Sequence, residues 1–302
     1  MTVQVSGHSI NAVGFVGLGV MGEPMCANLV SKCGLPVYGA DRRSEPLERL
    51  SAIGMKSVES AAAVGTHADL AFVCVANSDQ LRDVCFGEYG LLRAGSRVKV
   101  IVDCSTTSAK LTREYAADAS AMGVTWVDAP VARMREAAKA GTLSIMLGST
   151  AEVFDAITPL LRCMGSDITH CGPTGSGQVV KILNNKVLFE AVHALAEALA
   201  IARAAGVDGQ VLFDAFAKGS ADSKALRFQG VKYLLPGDFP HQTFPTIYAK
   251  KDIGLALSLA AEVGIEARCA RTTCDLFDEA IEAGFEADYY PVILRMIEGT
   301  AH

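Results

Sequence analysis

Two groups of residues in this chain have types and spacings suited to chemistry. The first is the loop Gly17-Leu18-Gly19-Val20-Met21-Gly22. At GxGxxG spacing one glycine permits a tight turn, the next lets the backbone approach a pyrophosphate, and the third allows close helix packing. A helix opening behind it supplies amide donors and the positive end of the peptide dipole. The pattern is short, and a plain glycine turn looks the same. Its weight comes from context, a buried run at 12–16 before it and a helical stretch at 24–30 after it. The second group is Lys181 with Asn184 and Asn185, inside Gly172-Pro173-Thr174-Gly175-Ser176-Gly177-Gln178-Val179-Val180-Lys181. Three- and four-residue spacings put both amides one helical turn from the lysine. Val179, Val180, Ile182 and Leu183 flank it, so its ammonium is expected to be partly desolvated, with a pKa lowered toward the range of proton transfer. A lone lysine near a helix start is also commonly a surface residue.

The elements that must carry these groups follow from periodicity. Short β-rich runs at 12–16, 36–40, 70–75, 98–103, 124–128, 143–147 and 168–171 alternate with helical stretches near 20–33, 45–53, 79–86, 108–122 and 151–162. That alternation predicts an α/β domain with a doubly wound Rossmann sheet. Beyond the glycine-rich stretch 172–177 the apolar spacing is helical to the end, with helices expected at 178–205, 208–218, 224–234, 246–264, 266–283 and 288–298. We therefore expect a dinucleotide-binding domain over 1–173 and an all-helical domain over 174–302, joined by a long interdomain helix of about 42 Å at about 1.5 Å per residue. No flexible linker is apparent, so a permanent interdomain cleft is expected.

Asp41 closes the second run, where a dinucleotide fold places the acid that binds the adenosine ribose. It favours NAD. Arg42 and Arg43 follow at once, and a guanidinium there could pair with the 2′-phosphate of NADP; a solvated turn explains them equally well. Val75 and Ala76, at the end of the third run, are assigned to the same cofactor edge.

Composition narrows the function classes. The chain has 302 residues, half of them hydrophobic, and a formal net charge of -6 without a basic block, which speaks against nucleic acid as a partner. Nine cysteines form no CxxC pair and read as reduced core residues of a cytoplasmic protein. Residues 1–11 lack the basic and apolar regions of a signal peptide. The apolar stretch 178–205 carries Lys181, Asn184, Asn185, Lys186, Glu190, His193, Glu197 and Arg203, too many polar groups for a bilayer. Six histidines show no metal spacing, so no metal is expected, and His193 reads as a packed residue. A hydrolase triad finds no support.

Together, residues 14–29 (GFVGLGVMGEPMCANL) and the pattern GxxGxGxxxKxxNN over 172–185 resemble the β-hydroxyacid dehydrogenase family, which includes 3-hydroxyisobutyrate, tartronate semialdehyde, γ-hydroxybutyrate and sulfolactaldehyde oxidoreductases. The resemblance covers almost the whole chain. Asp103-Cys104-Ser105-Thr106 is similar to the D-x-S-T turn that borders the nicotinamide, and Lys251-Asp252-Ile253-Gly254-Leu255-Ala256 to the late K-D-L-G-L-A helix. The resemblance implies Lys181 as general acid/base and Asn185 as the group positioning substrate or lysine. It further implies cofactor contacts at Thr106 and Lys251, with Phe244 and Asp252 in the substrate pocket. Ser223 matches a substrate-side serine more loosely, because the tryptophan that usually follows is absent.

One departure bears on substrate. Where relatives carry D-A/V-P-V-S-G-G, this chain has Asp128-Ala129-Pro130-Val131-Ala132-Arg133-Met134. Ala132, Arg133 and Met134 are assigned to substrate binding: loss of the serine hydroxyl and two glycines weakens the usual backbone cradle, and Arg133 could replace it with a bidentate clamp on a carboxylate or sulfonate, as an arginine stands at this place in the sulfolactaldehyde branch. An ordinary salt bridge is the other reading of Arg133. The expected activity is NAD(P)-dependent hydride transfer on a small anionic 3-hydroxy acid or semialdehyde, the alternative being a sulfonate or four-carbon semialdehyde. Imine reductases share the architecture but alter the lysine position; a non-catalytic redox sensor would not need Lys181, Asn185 and Lys251. Surplus apolar surface in the helical part predicts a homodimer or homotetramer.

Overall fold

Runs of about four aliphatic residues, apolar on both sides, form strands that need covering on both faces. In the computed structural model, which describes residues 3–241 and 243–300, β3 (Val13–Val16), β6 (Leu70–Val73) and β7 (Val100–Asp103) are buried at every position. They sit in a nine-stranded sheet with β4 (Val37–Ala40), β5 (Lys56–Ser57), β8 (Thr125–Asp128), β9 (Val131–Ala132), β10 (Leu143–Gly148) and β11 (Gly165–Gly172). The order is β11-β10-β8-β7-β6-β3-β4-β5, with β9 on β10. From β5 to β8 every pairing is parallel; β10 then runs antiparallel to β8 and parallel to β11. The pairs Gly148–Asp128, Ile145–Val131 and Ser144–Ala132 share one register, so β9 prolongs the line of β8 beyond the end of the parallel strands.

Helices α1 (Gly22–Lys32), α2 (Ser44–Ser51), α3 (Ala61–His67), α4 (Ser78–Phe86), α5 (Ala109–Ala121), α6 (Arg135–Ala140) and α7 (Ala151–Leu161) connect the strands. A hairpin of β1 (Val3–Val5) and β2 (His8–Ile10) precedes them; it turns through Ser6 and Gly7, both at positive φ. This hairpin, β5, α3, β9 and α6 were not expected from periodicity, each being too short to show one.

Contacts divide the chain into two compact units, Met1–Lys181 and Ile182–His302. The division falls inside α8 (Ser176–Ala204), whose first turn is bonded into the sheet unit. The second unit holds the rest of α8, α9 (Gly209–Phe216), a π-helix at Leu226–Leu234, α10 (Thr246–Glu262), α11 (Arg268–Glu282) and α12 (Ile293–Ile297). No strand occurs there among the described residues. Its core is aromatic: Phe189 meets Phe277 and Tyr290 edge-on, with ring centroids 5.7 and 5.0 Å away, a geometry that suits the ring quadrupoles. Among the described residues no helix is long and apolar enough to cross a membrane.

Candidate active site

Sheet register builds the site. Val16 stands level with Ala40 and Val73, Val73 with Asp103, and Asp103 with Asp128. The residues that follow each therefore leave the sheet along one carboxyl edge, which is where open parallel sheets bind ligands.

At this edge Gly17 has a φ of 91°, and a Cβ there would run into the Cys74 carbonyl. A Cβ on Gly22 would strike the Gly17 carbonyl, so both glycines are demanded by the protein's own backbone. Gly19 differs, since a Cβ on it meets no protein atom within 4 Å. The space beside it suits a diphosphate, and α1 begins three residues later without a side-chain cap. Leu18 contributes backbone only. Its side chain is wholly buried, and its N–H donates to Asp41 Oδ2 at 2.6 Å. Val20 is half exposed and Met21 packs on the core.

Asp41 does more than await a ribose. Its Oδ1 accepts the Arg43 N–H at 2.9 Å and the Arg43 Nε at 3.2 Å, while Arg43 Nη2 donates to the Leu18 carbonyl at 2.9 Å. The acid thus ties the end of β4 to the glycine loop. Burial alone would raise its pKa, but the two backbone N–H groups and the Arg43 guanidinium outweigh that and hold it below the usual carboxylate value. Arg42 is exposed.

Beyond β6, the Val75 N–H donates to Ser105 Oγ at 3.0 Å and the Ala76 N–H to Gln80 Oε1 at 3.2 Å. Beyond β7, Asp103 accepts the Ser105 N–H at 2.9 Å, closing the turn that carries the partly exposed Thr106. Asp128, ending β8, accepts the Gly175 N–H at 2.6 Å and the Gln178 N–H at 2.9 Å, a carboxylate at a helix N-terminus. Gly148 and Gly177 leave it room, since a Cβ at either would collide with it. Both acids are fully buried. Burial pushes Asp103 up to about 7 and Asp128 up to about 6, against the N–H donors that favour their ionised forms.

Lys181 is 8 % exposed. Of its flanking residues only Ile182 is buried, at 1 %, whereas Val180 and Leu183 are 40 % and 43 % exposed, so its expected apolar collar is not made by those two side chains. The two asparagines also part ways: Asn185 is 5 % exposed and Asn184 lies on the exposed face. Only Asn185 shares the buried side of α8 with Lys181. In the second unit Asn185 Nδ2 donates to Asp252 Oδ2 at 2.7 Å, and Lys251 Nζ lies 2.9 Å from Asp252 Oδ1. Phe244 stacks loosely on Phe189 and meets Tyr290 edge-on.

Two of the expected substrate-side residues have partners within the structure. The Arg133 guanidinium is engaged within the sheet unit: Nη2 donates to Asp167 Oδ2 at 2.6 Å, and Nη1 to Ser166 Oγ at 3.1 Å and to the Thr142 carbonyl. Its charge is met by a carboxylate brought close by β11, the salt-bridge alternative. Arg133 also holds a φ of 83°, a left-handed backbone that favours glycine; Ala132 pairs with Ser144, and Met134 stands at the N-terminal boundary of α6 without a side-chain cap bond. Ser223 accepts the Leu226 N–H at 3.0 Å, which makes it the cap of the following helix. Among the described residues no group of three His, Cys, Asp or Glu could hold a metal. Gln178, Asp128 and Thr107 were missed as site residues; the glutamine's place one turn before Lys181 was the available signal.

Comparison with known proteins now decides the family. The family described as the NAD binding domain of 6-phosphogluconate dehydrogenase matches residues 12–172, and that described as NAD-binding of NADP-dependent 3-hydroxyisobutyrate dehydrogenase matches 175–296. The chain is 33 % identical to 2-(hydroxymethyl)glutarate dehydrogenase of Eubacterium barkeri, covering 95 % of this chain and 94 % of that one.

The chain belongs to the β-hydroxyacid dehydrogenase family.

It is also 32 % identical to 2-hydroxy-3-oxopropionate reductase of Escherichia coli, over 93 % of this chain and 95 % of that one. Among solved structures it resembles Mycobacterium tuberculosis 3-hydroxyisobutyrate dehydrogenase with L-serine, at a TM-score of 0.87, 29 % identity, and coverage of 95 % and 99 %. As a member of this family the protein is an oxidoreductase that binds NAD(P).

The raised acids give a pH prediction. A carboxyl whose folded pKa lies above its unfolded value of 3.8 stabilises the fold most below about 3.8, and that contribution is lost as pH rises through about 6 for Asp128 and about 7 for Asp103. Asp103→Asn removes one titration, so thermal melts across this range should show a shallower fall in stability with rising pH than the unaltered protein. An unchanged slope would place Asp103 near its ordinary value.

Proposed function

We propose that this family member catalyses reversible hydride transfer on a small anionic 3-hydroxy acid or its semialdehyde, with Lys181 as general acid/base. The observation that carries the reading is the burial of Lys181 one helical turn before the equally buried Asn185. Bound NAD(P) accepts or supplies the hydride. In oxidation the Lys181 amine takes the hydroxyl proton from substrate; in reduction its ammonium returns that proton to the carbonyl oxygen. Asn185, oriented by its 2.7 Å bond to Asp252, positions the substrate oxygen or the lysine. Thr106 and Lys251 are read as cofactor contacts, and Phe244 as the apolar wall of the substrate pocket.

For the cofactor we read NAD, with NADP possible. A carboxylate oxygen can accept two hydrogen bonds; Asp41 Oδ1 accepts from Arg43 twice, while Oδ2 has the Leu18 N–H and keeps capacity for a ribose hydroxyl. The exposed Arg42 is read as the group that would meet a 2′-phosphate. The chain is further read as a homodimer or homotetramer, supported by Val180, Leu183, Val187 and Ile201, exposed apolar residues of α8. Light scattering on the purified protein should return a multiple of 31.7 kDa; a monomer at micromolar concentration contradicts it.

Lys181→Ala should lower kcat by about 10²- to 10⁴-fold while fluorescence titration shows NADH affinity retained. Near-normal turnover ends the acid/base role. Arg133→Met, because it breaks a pair with Asp167, should leave KM for an anionic hydroxy acid within about threefold. A rise well beyond that would restore the clamp.

A further inference from the structure

Gln178 is 0 % exposed, and its amide is engaged on both atoms. Oε1 accepts the Thr107 N–H at 3.1 Å. Nε2 donates to the Ser105 carbonyl at 2.8 Å and, more distantly, to Asp103 Oδ2 at 3.4 Å. Its own N–H is held by Asp128. One side chain therefore grips both ends of the segment around Thr106 while its backbone is pinned into the first turn of α8. Three residues later on the same helix face stands Lys181.

We propose that Gln178 is a positioning residue, holding the 105–107 loop and the Lys181 turn of α8 in a single register for hydride and proton transfer. The inference rests on the reading of Lys181 as acid/base and of Thr106 as a cofactor neighbour. No other side chain of this length serves. Methionine fills the space but leaves the Thr107 N–H and the Ser105 carbonyl buried without a partner. Glutamate keeps the acceptor for Thr107, yet when ionised it cannot donate to Ser105 and adds a carboxylate beside Asp103 and Asp128. Once protonated, its O–H regains one donor. Asp103 and Asp128, raised to about 7 and about 6, titrate in the same range and do so in the unaltered enzyme as well, which is why turnover is compared with it; the thiols of Cys74, Cys85 and Cys104 are pushed up by burial and stay neutral there.

The test compares Gln178→Met, Gln178→Glu and Lys181→Ala in the full chain. It measures kcat, KM for the hydroxy acid, NADH affinity and the primary isotope effect with deuterated substrate. For Gln178→Met the expected result is a kcat lowered at least about tenfold with a larger isotope effect, KM and NADH affinity changing less than about threefold. For Gln178→Glu, turnover relative to the unaltered enzyme should recover as pH falls from about 8 to about 6, with circular dichroism showing the variant folded at both ends of that range, which separates loss of register from loss of folding. It also keeps the test open should Gln178→Met not fold. Loss of turnover in Lys181→Ala together with unaltered kcat and isotope effect in Gln178→Met, or no relative recovery in Gln178→Glu, overturns this inference alone. Normal turnover in Lys181→Ala overturns the acid/base reading and this inference with it.

Discussion

The hydrogen bonds from Gly175 and Gln178 to the Asp128 carboxylate are the constraint on which the site depends. Asp128 ends β8, the last strand of the parallel run from β5 to β8, and stands level with Asp103. By accepting the first free amides of α8 at 2.6 and 2.9 Å it fixes where that helix starts and in which rotation. Rotation matters because Lys181 and Asn185 are useful only on the buried side of the helix. A slip of one residue would turn them by about 100°, toward the face that now carries Asn184. Burying a carboxylate is costly, which is why Asp128 is raised to about 6; the helix N-terminus offsets part of that cost.

The same logic, a polar group spent on the backbone, recurs along the carboxyl edge. Asp41 ties the glycine loop, Ser105 the end of β6, and Asp103 its own turn. Each such bond fixes a segment that would otherwise cost conformational entropy to order when ligand binds. Arg133 fits this pattern as well. Standing in a left-handed backbone, it spends its guanidinium on Asp167, Ser166 and Thr142, bracing the amino ends of β10 and β11.

Much of this was legible in the sequence where the determinant is local. The glycine loop, Asp41 and the long helix carry their signals within a few residues, and the helical C-terminal part shows its period throughout. Partners far along the chain were not legible. Asp128 meets Gln178 across 50 positions and Arg133 meets Asp167 across 34, and no spacing rule joins them. Asn184 and Asn185 are equally good neighbours of Lys181 by spacing; only tertiary packing selects Asn185. Ser223 was read from a loose match, and its hydroxyl turned out to cap the next helix.

Hydrogen exchange at the start of α8 addresses the central constraint most directly. Asp128→Asn replaces a symmetrical double acceptor with one acceptor and one donor, so it cannot serve both amides. In that variant the amides of Gly175 and Gln178 should exchange at least about tenfold faster than in the unaltered protein, with those of β3 unchanged. Equal protection at Gly175 and Gln178 in the two proteins would contradict the account, because the helix start would then be held by something other than Asp128.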